Sequence, residues 1–299
     1  MSAAGPTMLQ RPNDRLRRRR AVNRGMELLA LLAALIAVAI LGVVVWSVAR
    51  RGVSQLNVDF FTKAQIPFAP PNVTQGLANA FAGTLVIVGI ATLMAVPFGI
   101  LVAIYVNEFA PASVRNGVGL VLDVLNGVPA IVIGIFVFGL VVVGHGQSAL
   151  AGSFALAVLM LPLVARSTIE VLALVPHSLR EAALGLGAPR WRMTLGIVLP
   201  QTIGGVLTGT VLALARIAGE TAPLLFVSSV GVNGLGWNPL HALQTVPLAI
   251  FELSESPDPV DHARAWAAAL VLVLFILFAS LTARSLANRS RRKLGSAAR

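Results

Sequence analysis

The chain has 299 residues, of which 57% are hydrophobic and 12% charged, with a mean hydropathy of +0.84. A soluble domain of that length has too small an interior to hide so much apolar surface, so lipid must cover much of it. The net charge of +11 does not mark a nucleic-acid binder, because thirteen of the 23 Lys and Arg residues lie between Arg11 and Arg24 or between Arg284 and Arg299. There they flank apolar runs, as membrane anchors do.

In chain order, residues 1–25 predict a disordered basic cytoplasmic tail. A transmembrane region follows over 26–287, and 288–299 form a second basic cytoplasmic tail. The fold class is all-α, with six spans predicted near 27–49, 77–106, 119–143, 149–172, 197–228 and 266–287. The first apolar stretch is too long for the core of a cleaved leader and reads as a retained helix. Six spans put both termini on one side. That topology assigns seventeen Lys and Arg residues to the side of the tails and four to the other, so both termini are expected in the cytoplasm. The segments 50–75 and 229–265 then become outer loops or short interfacial helices. Pro97, Pro129, Pro162 and Pro223 predict kinks, and Gly205 with Gly209 forms a small-xxx-small pair suited to close helix packing. Without cysteine there is no disulfide or thiolate nucleophile, four scattered histidines do not resemble a ligand set, and no metal centre or other cofactor is expected.

The segment between the fourth and fifth spans is the most informative. Ser178 and Glu181 match an S-x-x-E capping box, and Gly187 followed by Pro189 provides a stop, so a short helix is expected at about 178–187. Two turns of helix in water need a partner to pack on. Glu181, Ala182 and Ala183, then Gly187, Ile197, Leu199 and Pro200, match the EAA-x3-G-x9-I-x-L-P pattern at every fixed position. That pattern resembles the signature of bacterial ABC-importer permeases, in which the short helix docks on an ATPase subunit. Neither of the two lysines, Lys63 and Lys293, ends a phosphate-cradling G-x-x-x-x-G-K-[ST] loop, so any ATP hydrolysis must come from another polypeptide.

The resemblance extends over roughly 76–285 and is closest to the PstA-type permeases of phosphate ABC importers. It is carried by Gly99–Ala110, Gly127–Phe138, Leu161–Pro176 and Arg216–Phe226. Membership would imply a type I importer permease fold in a bacterial inner membrane. It would also imply a PstC-type second permease, a pair of PstB-type ATPase subunits and an extracytoplasmic PstS-type phosphate-binding protein. The expected role is a non-catalytic subunit that moves inorganic phosphate inward. Another oxyanion such as sulfate or molybdate, or a stand-alone secondary transporter or channel, are the rival readings.

Arg166 and Arg216 fall inside predicted spans, each with a glutamate four residues later, Glu170 and Glu220, and so on the same helix face. Charges in hydrocarbon are costly, so both arginines should face the bundle interior or an aqueous path. Arg166, Arg216 and Glu220 are the expected substrate-path residues, the guanidinium fork being matched to an oxyanion. The competing expectation is that each arginine is merely neutralised by its own glutamate.

Overall fold

The structure, a computed structural model, describes residues 14–66, 75–228 and 235–297, with side chains described from residue 18 to residue 285 of these stretches. Parts of both expected tails and both expected outer segments (1–13, 67–74, 229–234 and 298–299) lie outside the described residues. The described backbone is helical and without strands. It divides into two units, residues 1–50 and 51–299.

The first unit is built by α1 (Asp14–Gly52), a 39-residue helix ringed by Leu, Ile, Val and Ala. An unstructured tail is expected as far as residue 25, yet α1 already begins at Asp14. No Gly or Pro lies between Asp14 and Arg24, and arginine is a good helix former. The helix of the apolar run therefore propagates back through the basic segment.

The second unit runs through α2 (Val58–Thr62), α3 (Ala78–Ile104), α4 (Ala112–Gly127), α5 (Ala130–Val137), α6 (Ala149–Ala173), α7 (His177–Gly185), α8 (Arg190–Met193), α9 (Leu199–Ile217), α10 (Leu224–Val227), α11 (Val246–Glu255) and α12 (Pro259–Ala297). Wider π turns extend α3 over Tyr105–Phe109 and α5 over Phe138–Val142, and join α8 to α9 over Thr194–Val198. The last lies just before Pro200, whose missing N–H and bulky ring disturb the regular helical ladder.

Five described helices are long and apolar enough to cross a membrane, and α4 with α5 supplies a sixth span only as a broken pair bent by 95°. The expected continuous third span is thus corrected. Val128 and Pro129 are extended (ψ 128° and 132°), because the residue before a proline is pushed out of the helical region. The fifth span is also displaced from 197–228. Its helix starts at Arg190, directly after the extended Pro189, and stops at Ile217. The Gly219-to-Pro223 stretch then unwinds it, with Gly219 N–H donating to the Arg216 carbonyl (3.2 Å) and Glu220 N–H to that of Ile217 (3.0 Å).

The core is a stack of α3, α6 and α9, with Ile87, Leu156, Met160 and Ile217 fully enclosed among many alanines. Small residues permit this closeness, as expected where helices associate by contact and not by escape from water. A Cβ at Gly205 would lie 2.5 Å from Val171 Cγ1, and one at Gly209 would overlap the Ser167 side chain, so the small-xxx-small pair faces α6. On α5, a Cβ at Gly134 would lie 2.6 Å from the Pro223 Cα, so the two proline breaks lie against each other. At the end of the bundle opposite α7, α11 is more than an interfacial helix: Val246, Leu248, Ala249 and Leu253 are buried. The chain before it caps α6, whose Ala149 and Leu150 N–H groups donate to His241 and Pro239 carbonyls at 2.8 and 2.9 Å.

Overpacking a tight helix contact costs on the order of 1–3 kcal/mol. Gly209→Val is therefore expected to lower the thermal midpoint of the detergent-purified chain by several degrees. Gly139→Ala, whose added Cβ would meet nothing within 4 Å, should leave it unchanged. A thermal unfolding scan of both variants checks this.

Candidate functional site: a polar cavity at the helix breaks and an exposed helix beyond the bundle

Two separate places in the second unit hold the charged residues that the sequence singles out. The first is where the broken α4–α5 pair meets the end of α9. A cavity of about 70 Å³ opens there, lined by Leu125, Asn126, Val128, Leu163, Arg216 and Glu220 among others. Arg216 sits in the last turn of α9, whereas Glu220 lies past the helix end in the unwound segment. The i, i+4 relation expected for them is therefore absent. Among the described residues neither forms an ion pair, and both face the cavity.

Arg166 projects from α6 about one turn, or roughly 5 Å, from the cavity-lining Leu163. It is ion-paired with Asp123 of α4, and its Nη2 donates to the Gly119 carbonyl at 2.8 Å. Glu170, its expected partner, is exposed and unpaired among the described residues. The neutralising carboxylate comes from a facing helix, since Arg166 points toward α4 and Glu170 does not. Its Nε is buried and has no hydrogen-bond partner among the described residues. Arg166, Arg216, Glu220, Asp123 and Asn126 thus line the side of the bundle where α4 breaks.

The second place is α7. Its N-cap is Pro176, extended at ψ 139°, and no side-chain cap bond forms. The expected Ser178 capping box is absent because the helix starts directly after the proline, which leaves Ser178 inside the first turn. The helix closes through Gly187 at φ +80°, with Gly187 N–H donating to Leu184 (2.9 Å) and Ala188 N–H to Ala183 (3.1 Å). This is a Schellman ending, in which glycine carries the left-handed turn without a Cβ clash. Ala183 is buried against a cluster containing Leu172, Val175, Met193 and Val198, while Glu181, Ala182, Leu184 and Leu186 are exposed.

Beneath α7 lies an ion pair that sequence reasoning passes over. Arg180 forks to both oxygens of Glu108, at 2.9 and 3.3 Å, and donates to the Leu172 and Val175 carbonyls at 2.8 and 2.6 Å. Glu108, in the π turn that ends α3, has a side chain only 2% exposed. A signal exists in the sequence: Glu108 and Asp123 are carboxylates at or inside apolar stretches, where an unpaired charge is costly. Weighing only the cations misses them.

Residues 95–292 match the family described as binding-protein-dependent transport system inner membrane component. The phosphate transport system permease protein PstA of Xylella fastidiosa is 38% identical over 92% of this chain and 96% of its own length. That of Haemophilus influenzae is 38% identical over 81% of this chain and 85% of its own. The chain belongs to this permease family. A bacterial alginate ABC transporter, solved with an alginate-bound periplasmic protein, has a chain that aligns at a TM-score of 0.59. It covers 90% of this chain and 96% of its own at 17% identity, which supports the type I importer permease fold. The permease is accordingly a multi-pass membrane protein and a non-catalytic transporter subunit.

Because Arg166 and Asp123 are 31% and 63% exposed, their pair is worth no more than about 1 kcal/mol. A double-mutant cycle on thermal stability is expected to give a coupling of that size for Arg166 with Asp123. For Arg166 with Glu170 the coupling should be zero within error.

Proposed function

We propose that this permease forms half of the path by which an ABC importer carries inorganic phosphate into the cytoplasm. ATP hydrolysis is supplied by a separate pair of PstB-type ATPase subunits docked on α7. A PstC-type permease forms the other half of the path, and a PstS-type binding protein delivers phosphate from outside. Both termini face the cytoplasm, as the Lys and Arg bias favours.

The observation that carries the oxyanion reading is Arg216: a guanidinium lining a small polar cavity at the mated helix breaks, with no carboxylate bonded to it among the described residues. Phosphate presents paired oxygens that fit the guanidinium fork. Arg166 stands further along the same side of α6, so an anion released by one guanidinium meets a second. Its Asp123 partner makes Arg166 a site that the anion enters by competition. Glu220, beside Arg216, keeps the local charge low enough for the anion to leave. The relatives named for phosphate transport favour phosphate among oxyanions.

For coupling, Glu181 and Ala182 present the exposed face of α7 to the ATPase, Ala183 seats the helix, and Gly187 ends it. A Cβ at Gly187 would meet nothing within 4 Å, so a larger residue there acts through backbone strain and through the docked partner.

In proteoliposomes holding the full complex, Arg216→Gln is expected to abolish phosphate uptake while assembly remains normal, and Arg216→Lys to retain little. Because Arg216 and Glu220 are not ion-paired, the double variant with Glu220→Gln should also assemble and fail to transport. Near wild-type uptake by that double variant would make Arg216 structural and remove it from the path.

Gly187→Leu is expected to leave membrane levels of the permease unchanged and to weaken ATPase association or uncouple hydrolysis. Co-purification and uptake measured side by side check this, and normal values for both would remove α7 as the docking element.

A further inference from the structure

We propose that Arg180 and Glu108 are positioning residues that transmit the movement of α7 to α3 and α6. The proposal rests on the reading of α7 as the ATPase-docking helix and goes beyond it, because neither residue belongs to the exposed docking face.

Close packing does not join α7 to the bundle on every side. Ala183 belongs to an apolar cluster, but a polar cavity of about 500 Å³, lined by Glu108, Arg115, His177, Arg180, Glu181 and Arg190 among others, lies between α7 and the turn from α3 to α4. Across that cavity, force passes through directed polar bonds. The Arg180 guanidinium reaches the end of α3 through both Glu108 oxygens and the end of α6 through the Leu172 and Val175 carbonyls. Being planar, it holds all three helices in one fixed geometry.

Its partner is equally held. Glu108 accepts from Asn107 Nδ2 at 2.6 Å as well, and the Arg115 Nε donates to the Val106 carbonyl at 3.1 Å in the same π turn. A buried ion pair is often no more stabilising than an apolar pair of the same volume, so stability alone is a weak reason for this one. Fixed direction is what it adds. The helices it engages are also the right ones: α3 and α6 pack along most of their length, and α6 carries Arg166 together with the Leu159 and Leu163 wall of the Arg216 cavity. A displacement of α7 therefore reaches the polar side of the bundle through a helix pair that moves as one body.

The test is the number of ATP molecules hydrolysed per phosphate taken up by the full complex, with its second permease, ATPase pair and binding protein, in proteoliposomes. Glu108→Gln keeps the shape and removes the charge. It is expected to keep ATPase association and hydrolysis near wild type and to raise the ratio about tenfold, a typical size for a coupling effect. Arg180→Lys, which keeps the charge but cannot fork, is expected to give an intermediate ratio. A wild-type ratio in assembled Glu108→Gln overturns the proposal. If that variant does not assemble, the ratio in Arg180→Lys decides: a raised value supports transmission and a wild-type value overturns it. Failure of both to assemble also overturns it, since the pair would then serve folding alone. The docking reading is judged separately by Gly187→Leu. Uncoupling there with an unchanged ratio in Glu108→Gln sinks only the transmission proposal, whereas normal behaviour of Gly187→Leu sinks the reading beneath it.

Discussion

Hydrocarbon offers no hydrogen bonds, so wherever a helix stops inside this bundle, protein must close the gap. Two helices stop on the same side: the broken pair bends at Val128 and Pro129, and α9 unwinds after Ile217. Each break would be costly facing lipid. They are tolerated because Gly134 lets one broken segment rest on Pro223 of the other, and because the unwound turns bond to the preceding carbonyls. The polar cavity exists where those breaks meet, and Arg216, Glu220 and Asn126 gather there because helix ends bring side chains and backbone groups that a continuous helix would not.

The two charged centres lie at different heights along the bundle, and α6 connects them. Near its middle it carries the leucines that wall the cavity and, a turn later, Arg166; about two turns beyond that its last carbonyls accept from Arg180. Its Pro162 is buried in the helix and its contact face is rich in alanine. Its packing against α3 and α9 along that face, despite the interior proline, suits it to connect the two centres.

Apolar stretches long enough to span were legible because length and hydropathy are properties of contiguous residues. The exposed helix was legible because a proline, a small-residue run and a glycine stop occur in order. What the sequence hid was geometry across chain breaks. Pro129 announces a disturbance, but a kink and a 95° turn carry the same residues. The i, i+4 reading of Arg216 with Glu220 assumed a helix that Gly219 and Pro223 end, although those two residues were in plain view. Arg166 took its carboxylate from Asp123, 43 positions earlier in the chain, a choice settled by which helix faces it. Ser178 lost its capping role to Pro176 by two residues, within the ordinary uncertainty of a helix end.

The contact of Gly134 with Pro223 ties two distant stretches of the gene into one inheritable unit. A change that enlarges position 134 is tolerable only if the backbone around 223 retreats, and that backbone sets where Arg216 and Glu220 stand. Swapping either stretch alone for that of a permease with another cargo would replace half of a fitted joint. A chimera meant to alter what this importer carries has to exchange residues near 127–139 and 216–227 together.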